Sequence, residues 1–379
     1  MIYFDNAATS FPKPSCVYKA AERAICECVG NPGRGGHRLA AGSAEAVYEA
    51  RESIARLFCS DTPERVVFTH NATEALNAAI KGFAKAGGEI LISDIEHNSV
   101  RRPACSLVSR GCRVRVYRTY PDKDDTMRSF REAITKETCL AVACHRSNIC
   151  SRELPINEMG MLCRQRDIPF IVDAAQSAGA CTIDFEKTGA SVLCAPGHKG
   201  IFGIMGGGFM IISGRVEPGD LATVTEGGSG VDSQSIGMPL LFPERLEAGT
   251  LPVPAICSMK AGADFIMSVG ADEIGRRERA VMLAAKERLG SLKDKIELYT
   301  ADENNGSVLL FNVKGRDPED VAAYLDREGF CVRAGFQCAP LAHKSIGTPS
   351  CGAVRASFGY FNTKAETDAL YKALKRICI

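Results

Sequence analysis

An aspartate and a lysine stand out for what they could do together. Asp173 ends the apolar run Pro169-Phe-Ile-Val-Asp, and Lys199 lies twenty-six positions later in Pro196-Gly197-His198-Lys199-Gly200, after the run SVLCA. A carboxylate at the carboxyl end of a buried parallel strand lies where open α/β sheets place ligands. Alone, Asp173 reads as a helix N-cap, and Lys199 as a solvated lysine in a glycine-flanked turn. As a pair they match the needs of pyridoxal 5'-phosphate (PLP), which takes a lysine for its covalent link and an acid to keep its pyridine nitrogen protonated. The ring then accepts electrons from a substrate carbanion. Gln176 is placed to hydrogen-bond the ring O3′. His97, which follows EILIS, is placed to stack on the ring. The backbone amides around Ala72 and the Thr73 hydroxyl, between the run RVVFT and a helix, could hold a phosphate at the helix N-terminus.

A second constellation bears on sulfur. Cys338 lies in Arg333-Ala-Gly-Phe-Gln-Cys-Ala-Pro-Leu-Ala-His343. A free cysteine is most often a small buried hydrophobe, and this chain has seventeen. Cys338 differs in its setting, a loop of Gly, Gln and Pro with Arg333 before it and Arg355 after it. Nearby cations favour the thiolate, the form that attacks sulfur. Arg355 carries the guanidinium fork that suits a carboxylate, and its competing reading is an ion pair between domains.

The elements that must position these groups are legible in the hydrophobic pattern. The segment 43–58 places Val47, Ala50, Ile54, Leu57 and Phe58 on one helical face. Seven strand-like runs follow, at 65–69, 89–93, 112–117, 139–144, 169–173, 191–195 and 208–212. Most are apolar throughout, as strands covered by helices on both faces are. With helices between the early strands, the pattern predicts an α/β fold with a seven-stranded, mainly parallel sheet. After Pro252 a long helical segment is expected over 255–292. Strand-like IELYT, SVLLFNV and FCVRAG then alternate with helices near 318–328 and 364–377. The expected organisation is a large α/β domain over 16–252, with 1–15 and 253–379 forming a smaller α+β domain that carries the cysteine loop.

Composition narrows the class. The chain has 379 residues, a formal net charge of +1 and no basic stripe, which disfavours nucleic acid as a partner. No apolar run is long enough to span a bilayer, and MIYFDNAATS lacks a signal pattern, so a cytoplasmic protein is expected. The odd, scattered cysteines suit a reduced pool. Cys26 and Cys28 make only a CxC, so no metal site is expected.

The motifs together resemble the class V aminotransferase and cysteine desulfurase family, which includes the selenocysteine lyases. The resemblance runs from DNAAT at 5–9 through NATEALN (71–77), EHNSV (96–100), HRSN (145–148), VDAAQ (172–176), GHK (197–199) and RLEAGT (245–250) to RASFGYFNT at 355–363. It implies a fold-type I PLP enzyme, a homodimer with its site between the domains and at the subunit interface. It also implies Asn148 and His198 near the cofactor, and Ser229 (after Gly227 and Gly228) reaching the partner's phosphate. Arg355 would hold the substrate α-carboxylate; Asn6 is a further candidate for substrate binding, and Arg333 either assists the carboxylate or orients the loop. The Cys-Ala-Pro-Leu-Ala-His loop resembles that of a desulfurase subgroup, implying L-cysteine as substrate, alanine as product, a persulfide on Cys338 and a sulfur-acceptor protein. Selenocysteine lyase, another PLP lyase or aminotransferase, and a weakly active sulfur-carrier scaffold are the rival readings. Three departures bear on them. Pro196 replaces a hydroxyl residue that supports the phosphate, and Gln337 replaces a common histidine that could donate a proton. Arg152 stands in a loop near the site and is expected to point to solvent.

Overall fold

The computed structural model describes residues 1–33, 35–300 and 306–378. Twelve strands are labelled β1 to β12 in chain order. Seven of them form the main sheet: β2 (Val66–Thr69), β3 (Glu89–Ser93), β4 (Arg113–Tyr117), β5 (Thr138–Cys144), β6 (Phe170–Asp173), β7 (Val192–Pro196) and β8 (Gly208–Ile212). Their order is β2-β8-β7-β6-β5-β3-β4, and only β8 runs against its neighbours. All seven expected strands are present. Successive residues alternate between two apolar clusters. Leu91, Ala141, Ala143, Phe170 and Val172 face one side, while Ile90, Ile92, Leu140, Val142 and Ile171 face the other. Burial on both faces is why these runs are apolar throughout. The edge strand β4 is the exception, with exposed Arg113 and Arg115, and charge on an edge discourages pairing with another chain.

Helices link the parallel strands: Ala72–Phe83 before β3, Asn98–Ser106 before β4, Lys123–Ala133 before β5 and Ile156–Gln165 before β6. The carboxyl ends of β3, β5, β6 and β7 therefore open at one edge of the sheet; Asp173 ends β6, and the loops after β3, β5 and β7 carry His97, Asn148 and Lys199.

A second layer joins the ends of the chain. The antiparallel order is β12-β10-β9, with β9 (Ile296–Leu298), β10 (Val308–Val313) and β12 (Val354–Ser357). The N-terminal β1 (Ile2–Tyr3) pairs in parallel with β11 (Phe330–Cys331). Phe4 accordingly packs with Leu309, Phe311, Val354 and Leu370 in a third cluster. The helical stretch expected over 255–292 is two helices, Val253–Val269 and Ala271–Gly290. Gly270, at φ 96°, ends the first with its N–H on the Ile266 carbonyl at 2.7 Å, a conformation open to glycine at little steric cost. Ile256, Met259, Ala263 and Ile266 of the first helix lie in the cluster on one face of the main sheet. No described helix is long and apolar enough to cross a membrane.

Candidate active site

The sheet edge opens into a cavity lined by Thr73, His97, Asn148, Asp173, Gln176 and Lys199, among others. Thus five separate strand-end segments contribute to one site. Asp173, 4% exposed, is the last residue of β6, and its Oδ1 accepts from the Ala175 N–H at 2.9 Å. Burial raises the pKa of its carboxyl; the Ala175 N–H and the Lys199 charge act against that. Lys199 follows β7. It keeps some accessible surface, yet loss of solvation pulls its amine down to about 8; Asp173 opposes the shift and Arg355 and Arg333 add to it. A buried cation is disfavoured by desolvation in the same way as a buried anion.

His97 caps the helix Asn98–Ser106. Its Nδ1 accepts from the Ser99 N–H at 3.1 Å and lies 2.9 Å from Ser99 Oγ. Since a backbone amide can only donate, the ring proton of neutral His97 is on Nε2. Burial, followed by the Lys199 and Arg333 charges, depresses its pKa to about 4, so the ring is neutral. Ser99 Oγ is also 2.8 Å from Thr73 Oγ1. A hydroxyl chain therefore links His97 to the start of helix Ala72–Phe83. There Asn71 caps the Glu74 N–H at 2.9 Å. The Ala72 and Thr73 N–H groups have no acceptor among the described residues, as the first amides of a helix do not. Ser99 was not singled out by sequence reasoning. Its signal was a Ser two residues past a histidine at a helix start, where it could have been read only as a cap.

The Cys338 loop lies against this edge. Asn98 N–H donates to the Cys338 carbonyl at 2.8 Å, and Asn148 Nδ2 donates to the Gln337 carbonyl at 3.0 Å. The Cys338 side chain is exposed, with Arg333 Nη2 at 3.9 Å from its Sγ. Gln337 is 3% exposed and hydrogen-bonded within the protein. It is a fixture of the loop, not a donor at the thiol.

Arg355 on β12 is 1% exposed. Its Nη2 pairs with Asp5 Oδ1 at 2.7 Å and its Nη1 donates to the Asn148 carbonyl at 3.3 Å. Its Nε is buried without a partner among the described residues. Asp5, in the DNAAT stretch, is a site neighbour that sequence reasoning missed. Asn6 donates to the Ser357 carbonyl at 3.1 Å and borders a second cleft that also touches Gln176 and Lys199. Gln176 Nε2 donates to the Ala7 carbonyl at 3.0 Å. His198 has an unpartnered buried Nδ1, and burial and Lys199 lower its pKa to about 4. Two residues stand apart. Ser229 lies in another cleft with Arg51 and Glu247. Arg152 does not point to solvent: its Nη1 donates to Thr119 Oγ1 at 2.8 Å and to the Thr119 carbonyl at 3.0 Å. A guanidinium beside an uncommitted carbonyl finds a partner there.

These groups fit PLP at three points. The buried Asp173 carboxyl, whose ionisation is hindered by burial, would gain the missing counter-charge from a protonated ring nitrogen. The free amides at 72 and 73 offer an anion site at a helix N-terminus. Lys199 presents a desolvated amine in the same cavity.

The aminotransferase class-V family model matches residues 2–370. A probable cysteine desulfurase from Methanothermobacter thermautotrophicus is 33% identical over 381 residues, spanning 99% of this chain and 94% of that protein. A cysteine desulfurase from Salmonella agona is 29% identical over 385 residues, spanning 100% and 93%. Among solved structures, the apo cysteine desulfurase from Thermococcus onnurineus NA1 superposes with a TM-score of 0.92 at 30% identity, covering 100% of this chain and 94% of that one. With its fold, its strand-end residues and its full-length relatives in agreement, the chain belongs to the class-V aminotransferase family.

Proposed function

We propose that this chain is a PLP-dependent cysteine desulfurase that converts L-cysteine to L-alanine and leaves the sulfur as a persulfide on Cys338. The carrying observation is convergence at one sheet edge. The desolvated Lys199 and buried Asp173 line one cavity, and the Cys338 loop is bonded to the helix that His97 caps. The family is PLP-dependent, and full-length relatives carry the cysteine desulfurase name.

When bound, PLP supplies a sink for the electron pair released at the substrate Cα. Asp173 would face the ring nitrogen, Gln176 the O3′ and His97 the ring face. Ala72, Thr73 and His198 would hold the phosphate, with Asn148 beside the ring. Without a hydroxyl at Pro196, the phosphate would depend on the helix amides and on Ser229 of a second copy. Arg355 takes the α-carboxylate as Asp5 gives way, with Asn6 and Arg333 lining the approach. The Lys199 amine, its pKa pulled to about 8, accepts the Cα proton and later returns a proton to the carbon skeleton. The Cys338 thiolate then attacks the substrate Sγ. A sulfur–sulfur bond forms, the substrate Cβ–Sγ bond breaks, and the electron pair stays with the carbon fragment, which takes up a proton and leaves as alanine.

The same proposal includes a homodimer, a sulfur-acceptor protein and residence in the cytoplasm. Supporting the dimer, the stretch 222–251 has no helix or strand and exposes Val231, Ile236, Leu240 and Leu241. Supporting a reducing compartment, no disulfide joins any of the seventeen cysteines. The division into 16–252 and the two outer segments is likewise proposed, with helix Val253–Val269 packed across the boundary.

The test is alanine and sulfide release from L-cysteine, run beside selenocysteine and cysteine sulfinate. Cysteine turnover is expected to collapse in Cys338→Ala, and the cofactor's lysine-bound absorbance band to vanish in Lys199→Ala. Undiminished cysteine turnover in Cys338→Ala would refute sulfur transfer through that thiol, and absence of any band after PLP addition would refute the enzyme.

A further inference from the structure

Gln337 and Cys338 both have left-handed backbone, at φ 40° and φ 60°. L-residues with a side chain favour negative φ, so two consecutive departures persist only where the surroundings impose them. The surroundings here are specific. Gln337 is 3% exposed, and its Nε2 donates to the Ala353 carbonyl at 2.9 Å and to the Arg333 carbonyl at 3.3 Å. Its Oε1 accepts from His343 Nε2 at 2.9 Å, which leaves His343 Nδ1 to accept from the Thr348 hydroxyl at 2.8 Å. His343 is itself buried at 1% exposure. Both ends of the carboxamide are thereby committed, one to the loop's own root and one to the short helix Pro340–Ile346 that follows it. Ala339, on the other side of Cys338, is fully buried. Within the stretch 333–340, Phe336 and Cys338 are the exposed residues.

We infer that Gln337 is a positioning residue for Cys338: its buried carboxamide, held between His343 and the carbonyls of Arg333 and Ala353, imposes the left-handed turn that sets the thiol outward on a loop bonded to Asn98 and to the cavity residue Asn148. The inference rests on the desulfurase reading. It gives the position before the thiol a task different from proton donation. The side chain faces the protein interior and works through the backbone. It also implies a thiol held in one pose, with the acceptor brought to it.

The distinguishing experiment uses the PLP-loaded full chain with Gln337→Leu and Gln337→Glu. Leu keeps roughly the volume but removes all three hydrogen bonds. For that variant the cofactor absorbance and the KM for L-cysteine are expected to stay within about twofold of the parent. Its kcat is expected to fall by at least ~10-fold, since a displacement of about 1 Å at a reacting atom can cost ~100-fold. Glu can replace Gln only while protonated, when its O–H donates to a carbonyl and its C=O accepts from His343. Its kcat is therefore expected to approach the parent's at low pH and to fall as pH rises, relative to the parent at each pH. Thermal unfolding of both variants separates misplacement from loss of fold. If Leu does not fold, the pH profile of the Glu variant still decides. A parental kcat in Gln337→Leu, or a pH profile of Gln337→Glu parallel to the parent's, would overturn the inference. If Cys338→Ala is inactive while Gln337→Leu is normal, only the positioning role fails. If Cys338→Ala is fully active, the desulfurase reading itself fails.

Discussion

Replacing Asp5 by Asn tests whether an internal carboxylate holds Arg355 ready for that of a substrate. The guanidinium is 1% exposed, its Nη2 lies 2.7 Å from Asp5 Oδ1, and its Nε has no partner among the described residues. Removing one member of a fully buried ion pair costs about 3–5 kcal/mol. Two features reduce that here. The Asp5 side chain is 21% exposed, and Asn retains an oxygen that accepts from Nη2. A loss of about 1–3 kcal/mol is expected, in the range of a hydrogen bond to a charged group. The same attraction is what an incoming α-carboxylate must overcome. If about 1–2 kcal/mol of competition disappears, an amino acid should bind about 5–30-fold more tightly.

Two measurements on the Asp5→Asn protein check this. Urea unfolding of the ligand-free chain should show the lower stability, and equilibrium titration of the PLP-loaded chain with L-alanine, which has no sulfur to transfer, should show the tighter binding. Saturating L-alanine should then recover part of the lost stability, because a ligand that binds only the folded chain stabilises it. A variant as stable as the parent that binds L-alanine no more tightly would refute the competition. Weaker binding would instead make Asp5 an orienting partner of Arg355.

Other consequences can be measured on single variants. Ser99→Ala removes the hydroxyl between Thr73 and His97, and PLP affinity, read by absorbance titration, should fall about 3–10-fold, a loss of one hydrogen bond's order; unchanged affinity would show that the hydroxyl chain does not support the cofactor. In Gly208→Ala the new Cβ would lie 2.6 Å from Asn71 C and 3.0 Å from Ala72 N, so the N-terminus of helix Ala72–Phe83 must shift. Overpacking of this kind costs about 1–3 kcal/mol, and inorganic phosphate binding to the cofactor-free chain should weaken more than stability alone explains. Lys199→Met should stabilise the cofactor-free chain. The folded-state pKa of Lys199 is about 8 against an ordinary 10.5, so the unfolded chain holds the extra proton between those values. The parent therefore gains stability as pH rises through that window. The advantage of the Met variant should be largest below pH 8 and gone near 10.5, as read by urea unfolding at several pH values.

The fold was legible because burial on both faces leaves a plain mark. β5, β6 and β7 carry scarcely a polar side chain before the functional residue at their carboxyl ends, so each strand and its loop could be read together. Break points were harder. One helical pattern covered 255–292, and only the backbone angle at Gly270 separates its two helices, a turn that a single glycine in an amphipathic run does not announce. The site divided along the same line. Asp173, Lys199 and His97 were readable because each belongs to a short local motif tied to one strand. The pairing of Asp5 with Arg355 joins positions 350 residues apart, and nothing in either local pattern reports the other. Arg152 departs from the solvent-facing expectation for a related reason: its partner Thr119 lies on a different segment. Gln337 shows the limit most clearly. Its identity suggested a missing proton donor at the thiol, whereas its environment gives it three hydrogen bonds facing away from that thiol. A polar residue beside a nucleophile can serve the chemistry or the backbone, and the deciding quantity is where its polar atoms find partners. Here they find them in the carbonyls of Arg333 and Ala353 and the ring of His343, so the side chain acts on Cys338 through the turn it imposes.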